Sequence, residues 1–356
     1  MSDVIGLKGD FYADADFFKT WQQIYAEAWT LVGFTSEVPN SGDVLLREVA
    51  GHPLMLVRGK DKQLRCFHNF CRHRGMPLVA KEKCNKKKFI CPYHAWRYEL
   101  DGTLLRRPHF ESPGKSGGKD ENLNLKSVQI AEWLGGAIFV NLSATEVPFK
   151  EYIKPLAAFF EGLSLQDFRY DRTETLEVSA HWIPVVENWM DSYHVPAVHP
   201  GLNEATPIDL RQQGRFVGNC FLNETNSPGM KKGEASGLPV LSQGPDTLNR
   251  WGFLAPNLGI SVRPDHTLLF EVVPVAPDKT VERLHFLFVG DSADNPEYAA
   301  GRQQVIEAWT EVNNEDVDLL RRLQPGIISS AYDGGCLTGY WDEPVRAFQK
   351  WLSYDR

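Results

Sequence analysis

The sequence predicts an α+β protein of two domains, a small all-β domain followed by a larger one of helices and strands. Three observations carry this reading. The chain has 356 residues, more than one core usually serves. Between residues 36 and 145, short apolar runs alternate with turn residues. Far downstream, Tyr298–Gln324 keeps helical spacing throughout. Residues 1–35 are expected to form an N-terminal helical segment packing with the larger domain. Residues 36–145 form the all-β domain and residues 146–356 the larger one.

Within the first segment, Phe18, Trp21, Ile24, Tyr25 and Trp29 fall on one helical face. Val44–Val49, Pro53–Arg58 and Leu64–Asn69 follow as strands, separated by turns at Gly51-His52 and Lys60-Asp61-Lys62. Phe89–Ile90 and Arg97–Leu100 are strand-like, with Asp101-Gly102 as a hairpin turn. His109–Asn122, rich in Gly, Lys and Ser, is expected to be a loop, and Ile130–Leu142 returns to strand composition. Pro148–Leu165 has a helical pattern.

Composition narrows the function. Apolar residues make up 42% and charged residues 24%, the balance of a soluble globular protein. Aromatics reach 12% with ten Trp, which points to large cores or an apolar pocket. The net charge of −8 argues against nucleic-acid binding. No apolar run approaches the length of a membrane span, and the N-terminus lacks the pattern of a signal peptide. The six cysteines form no small disulfide framework. Those outside the motif below are expected to be buried free thiols, and reduced thiols place the chain in the cytoplasm.

Chemistry concentrates in two stretches. The first is N-F-C-R-H-R-G…C-P-Y-H-A-W, which holds Cys71-x-His73 and Cys91-x-x-His94. In a Rieske [2Fe–2S] centre two cysteines hold one iron and two histidines the other, and the neutral imidazoles make the cluster easier to reduce. A Cys2His2 zinc site uses the same residue types but usually pairs like with like, whereas each pair here is mixed. The stretch resembles the Rieske cluster-binding motif. Arg72, Arg74, Lys81, Lys83 and Lys86-Lys87-Lys88 surround it, either as a docking face for an acidic electron donor or as a solvated basic loop.

The second stretch is E-N-W-M-D-S-Y-H-V-P-A-V-H-P, residues 187–200. Asn188, Asp191 and His194 are three apart and are expected on one helical face. His199 follows His194 by five residues, so a kink at Pro196 is needed to aim both imidazoles at one point. Two histidines with one carboxylate form the facial triad of non-haem iron. The candidate carboxylate is Asp316, in the gap of an apolar stripe of Val305, Trp309, Val312, Leu319, Leu320 and Leu323. A carboxylate there must be paired with a cation, such as an arginine, or bound to a metal. Glu315 and Asp318 are expected off the stripe, in reach of solvent.

With these motifs, the chain resembles along nearly its whole length the catalytic α-subunit of the Rieske non-haem iron oxygenases, the aromatic-ring-hydroxylating dioxygenase family. F-L-A-P-N-L-G-I-S-V and E-D-V-D-L-L-R-R-L-Q-P-G resemble later segments of the branch that includes choline and carnitine monooxygenases. The resemblance implies an antiparallel sheet covered by helices (helix-grip, START-like) in the larger domain. It implies that Cys71, His73, Cys91 and His94 bind the [2Fe–2S] cluster and that His194, His199 and Asp316 bind mononuclear Fe(II). It places Asn188 near that iron and makes Asp191 the bridge of the electron path, between its own His194 and His94 of the adjacent subunit in a homotrimer.

The implied reaction uses O2 and a small organic substrate, with hydroxylation or oxidative demethylation as the expected outcome. Electrons come from NAD(P)H through a separate reductase, possibly with a ferredoxin, because the chain has no G-x-G-x-x-G fingerprint. Two other readings stand beside it: a dioxygenase that cis-dihydroxylates an aromatic acid, and a non-enzymatic Rieske electron carrier. Residues 205–290 are expected to supply most of the pocket, with Phe216, Trp251, Phe253, Asn257 and Phe270 as candidates. An aromatic cage there would suit a quaternary ammonium ion, and an apolar slot with an arginine an aromatic acid.

Overall fold

The structure is a computed structural model that describes residues 4–143, 147–225, 236–244 and 249–353. The chain divides into two compact units, Gln22–Glu146 and Met1–Trp21 with Val147–Arg356. The expected boundary at residues 145 and 146 lies outside the described residues. The expected end of the N-terminal segment at residue 35 is corrected to Trp21, within the helix Ala15–Glu27. The reason is Thr30–Phe34, whose five residues are all buried in a strand paired antiparallel with Ala137–Asn141. Strand pairing assigns it to the all-β unit. Val4–Ile5 in turn pairs with Cys336–Leu337, which ties the N-terminus into the larger unit.

The smaller unit is built from two sheets. One has seven strands in the order Thr30–Phe34, Ala137–Asn141, Ser127–Trp133, Leu64–His68, His52–Arg58, Asp43–Val49 and Lys83–Asn85. The other runs Lys115–Gly117, Leu104–Ser112, Arg97–Tyr98 and Phe89–Ile90. His109–Asn122 is therefore not simply a loop: its first half continues a strand that folds back at Pro113-Gly114. Gly114 takes a positive φ of 83°, which such a turn requires, while exposed edge strands lack the apolar alternation that makes a strand legible. Ile130–Leu142 is likewise two strands, turned at Leu134-Gly135-Gly136.

The larger unit is organised on one seven-stranded antiparallel sheet. Its order is Phe168–Val178, Lys279–Val289, His266–Ala276, Leu258–Val262, Arg250–Leu254, Cys220–Glu224 and Arg215–Val217. The central strands are buried along most of their length, with Ser261, Thr267, Glu271, Glu282 and His285 as buried polar positions among the apolar ones. The helix Trp182–Met190 lies over the sheet through Trp189, whose Nε1 donates to the Gly252 carbonyl at 3.0 Å. The long helix Ala299–Ile327 buries Val305, Ile306, Asn313, Leu320, Gln324 and Ile327. Leu323, expected on that stripe, is 43% exposed, since the buried line runs through Leu320, Gln324 and Ile327 instead. Pro148–Leu165 is broken into Phe149–Tyr152 and Lys154–Phe159, because Pro155 starts a new helix.

All six cysteines are free. Cys66 and Cys220 are buried, and burial pushes both thiols up to about 12. Cys84 is half-buried and Cys336 exposed, so the expectation of uniform burial fails at these two.

Candidate metal centres

The two Cys/His loops of the smaller unit are built alike. In the first, Cys71 N–H donates to Met76 O at 2.8 Å and Gly75 N–H to Cys71 O at 3.0 Å. In the second, Cys91 N–H donates to Trp96 O at 2.8 Å and Ala95 N–H to Cys91 O at 3.0 Å. Gly75 and Ala95 both have positive φ, 76° and 56°. Each loop thus turns back through the same left-handed position and presents a cysteine inward and a histidine outward. Cys71 and Cys91 belong to a buried cluster with Phe67, Phe89, Trp96 and Tyr98. The His73 and His94 rings sit at the surface with their Nδ1 atoms 3.1 Å apart, and His73 stacks on Trp96. Tyr98 lies between loop and sheet, its hydroxyl 3.5 Å from the Cys71 sulfur and accepting from Arg72 N–H at 3.2 Å.

This donor set fits a two-iron cluster. Two imidazole nitrogens at 3.1 Å can share one iron while the sulfurs serve the other. Among the described residues, only His194, His199 and Asp316 bring three possible metal-ligating atoms within 4.8 Å of one another. The four loop donors therefore do not converge on one ion, as a zinc site would require. Of the surrounding basic residues, Arg72 donates to Asn124 O and Lys83 pairs with Glu37 at 2.9 Å, whereas Arg74, Lys81 and Lys86–Lys88 are exposed.

In the larger unit, the expectation that Asn188, Asp191 and His194 share one helix is corrected. The helix ends at Met190, and Asp191 is its C-cap with extended backbone angles of −84° and 131°. The Asp191 carboxylate accepts from Tyr193 N–H at 2.5 Å and His194 N–H at 3.3 Å, which bends the chain. Pro196 starts a new short helix, Val195–Val198, rather than kinking an old one. His194 caps its start and His199 its end, and this single turn brings their Nε2 atoms to 3.3 Å. Asp316 Oδ1 lies 3.0 Å from His199 Nε2 and 3.7 Å from His194 Nε2, and accepts from Asn188 Nδ2 at 3.1 Å. No arginine pairs with Asp316 among the described residues; its neighbours are imidazoles and an amide.

Two carboxylates fix the imidazole tautomers. His194 Nδ1–H donates to Asp191 Oδ2 at 2.8 Å, and His199 Nδ1–H donates to Glu315 Oε2 at 2.6 Å. Each ring then turns Nε2 toward Asp316, as the atom that would bind a metal. Separations of about 3 Å are those of neighbouring donors around one ion with bonds of about 2.1 Å, so two histidines and a carboxylate fit a facial Fe(II) site. Glu315 is the functional contact that the sequence reading missed. Its side chain is 38% exposed, as a position off the stripe should be, yet its carboxylate reaches the ring of His199.

The triad opens into a cavity. Trp189, Trp251, Phe270 and Trp309 wall it, and Arg211, Arg263 and Glu282 add charge-bearing groups. Of the expected pocket residues, Trp251 and Phe270 line it. Phe253 is fully buried against Phe348, Asn257 is buried with Nδ2 donating to Val272 O, and half-buried Phe216 packs toward Phe348, so these three do not line the cavity. Residues 226–235 and 245–248 of the expected pocket segment lie outside the described residues. Burial, with the nearby Asp316 adding to it, raises the Glu282 carboxyl well above its ordinary value.

Residues 165–354, more than half of the chain, match the family described as the ring hydroxylating alpha subunit (catalytic domain). The chain belongs to this family. Residues 28–128 match the Rieske [2Fe-2S] domain, so this Rieske oxygenase α-subunit is an oxidoreductase that uses a [2Fe–2S] cluster and mononuclear iron. The glycine betaine monooxygenase oxygenase subunit of Pseudomonas aeruginosa (strain UCBPP-PA14) is 28% identical over 387 aligned residues, covering 98% of this chain and 88% of the relative. The carnitine monooxygenase oxygenase subunit of Escherichia coli (strain K12) is 28% identical over 331, covering 91% and 84%. Among solved structures, the quaternary ammonium Rieske monooxygenase CntA with an inhibitor shares the fold, with a TM-score of 0.80 at 23% identity over 99% of this chain and 96% of the other. The Rieske oxygenase acts with O2 on a small organic substrate, and no helix among its described residues is long and apolar enough to cross a membrane.

Proposed function

We propose that this Rieske oxygenase is a monooxygenase component that hydroxylates a C–H bond of a small organic substrate, removing the methyl group when the carbon is an N-methyl. The observation that carries this reading is the triad of His194, His199 and Asp316 facing an aromatic-walled cavity. The betaine and carnitine monooxygenases among its relatives favour an N-methylated substrate. Cys71, His73, Cys91 and His94 would hold the cluster, and His194, His199 and Asp316 the mononuclear iron. When bound, the cluster supplies electrons one at a time and the iron provides the place where O2 is reduced.

The chain's own residues do the rest. Asp191 and Glu315 hold the two imidazoles in one tautomer, Asn188 holds the Asp316 carboxylate, and the tryptophans exclude water from the reacting carbon. Asp191 also bridges to His94 of the adjacent subunit in a head-to-tail homotrimer, as the family's electron path requires. NAD(P)H is oxidised by a separate reductase, which docks on the exposed lysines Lys81 and Lys86–Lys88 around the cluster loops. Free cysteines favour the cytoplasm.

Anaerobic iron and acid-labile sulfide analysis of the wild type and Asp316→Ala tests the assignment. The expected result is about three irons and two sulfides per chain, falling to about two irons in the variant. About two irons in both would mean an electron carrier or a dead site and would sink the proposal. Asp191→Asn, reloaded with enough Fe(II) to fill the mononuclear site, is expected to lose turnover; normal turnover with the reductase would remove Asp191 from the electron path.

A further inference from the structure

The triad occupies one end of the cavity, and the other end is cationic. Trp309 and Asp316 are seven residues apart on the helix Ala299–Ile327, about 10 Å along its axis. The Arg263 guanidinium sits over the Trp309 ring, 5.8 Å from its centroid. Arg211, from the segment after the triad histidines, reaches the same cavity. Both arginines are only 9% exposed; Arg263 feels the carboxylate of Asp265 as well as the repulsion of Arg211.

Arg211 has no acidic partner among the described residues. Its Nε donates to the Thr206 carbonyl at 3.0 Å, and no carboxylate offsets its burial, which pulls the guanidinium down to about 10. A buried cation without a counter-ion is unfavourable unless something anionic arrives. The acids that line the cavity cannot play that part. Asp191 and Asp316 are engaged with the histidines, and Glu282 Oε2 meets no hydrogen-bond donor among the described residues.

We infer that this end of the cavity receives a carboxylate, so that the substrate is an organic acid or zwitterion held by Arg211 and Arg263 with its oxidised carbon toward the triad. This rests on the proposed oxygenase reading and names its substrate class. Guanidinium groups bind carboxylates through paired N–H donors, which fixes orientation as well as charge. The aromatic walls then cover whatever lies between the carboxylate and the reacting carbon. A purely cationic amine would meet the buried Arg211 guanidinium at the far end and be disfavoured, even though the tryptophans alone would attract it.

The test compares ligands that differ only in the carboxylate. Holoenzyme is titrated calorimetrically with glycine betaine against choline, benzoate against benzamide, and 3-phenylpropanoate against its amide. Arg211→Met and Arg211→Lys are titrated in parallel, with circular dichroism and iron content confirming that each variant is folded and loaded. The expected result is that at least one acid binds and its partner does not. Its dissociation constant should rise roughly tenfold or more in Arg211→Met and recover in part in Arg211→Lys. Equal binding within each pair, preference for choline, no binding by any acid, or an unchanged constant in Arg211→Met would overturn the inference. Failure of the oxygenase reading shows separately, as an iron content of about two per chain, and leaves the ligand comparison interpretable.

Discussion

Glu315 and Asp191 do for the two triad histidines what neither histidine can do alone: each accepts a hydrogen bond from Nδ1–H and so leaves Nε2 as the atom for a metal. Asp191 is also a turn residue, whereas Glu315 makes its contact across the fold from an exposed helix position. Glu315→Gln replaces a charged acceptor with a neutral amide and loosens His199. Expected is a loss of mononuclear iron affinity of roughly 10–100-fold with the cluster retained. Iron release to a chelator, followed against the visible absorption of the cluster, checks it. Iron retention equal to the wild type would reduce Glu315 to a surface acid.

At the scale of elements, the helix Trp182–Met190 can lie close to the sheet because Gly259 leaves room for Trp189. A Cβ at Gly259 would come within 2.5 Å of Trp189 Cε2. Trp189 also stacks on Phe270 at 4.8 Å, and both line the cavity. Gly259→Ala must therefore displace the indole or the helix, and overpacking of this kind costs about 1–3 kcal/mol. A lowered thermal midpoint and changed near-ultraviolet dichroism are expected. An unaltered midpoint would show that the indole has a second place to go.

At the scale of the whole molecule, folding stability carries a signature of pH. Burial, with Asp342 and Asp191 adding to it, pushes the Glu187 carboxyl up to about 8, while Gln349 Nε2 donates to its Oε1 at 2.7 Å. The folded chain then holds a proton that the unfolded chain has lost, so stability falls as pH rises from the ordinary carboxylate range toward 8. Glu187→Gln keeps the acceptor for Gln349 and removes the titration. Its thermal midpoint is expected to fall less than that of the wild type between pH 5 and 8. Parallel curves would mean that Glu187 is ionised in the folded protein.

The sequence by itself determined the class of chemistry. Mixed Cys/His pairs, a histidine pair and an acid on a buried stripe are local facts, and local spacing is enough to announce ligand types. It also determined most strands of the all-β unit, because short apolar runs bounded by turn residues are local as well. Only the tertiary structure decided how the ligands meet. Asp191 ends a helix that spacing alone would have continued, since its carboxylate offers the backbone N–H groups a competing partner. Glu315 reaches His199 across 116 residues, a pairing that no periodicity encodes. The cavity's charged end was equally illegible, because Arg211 and Arg263 are ordinary in sequence. Burial without an acidic partner makes Arg211 a waiting site, and burial is a property of the fold.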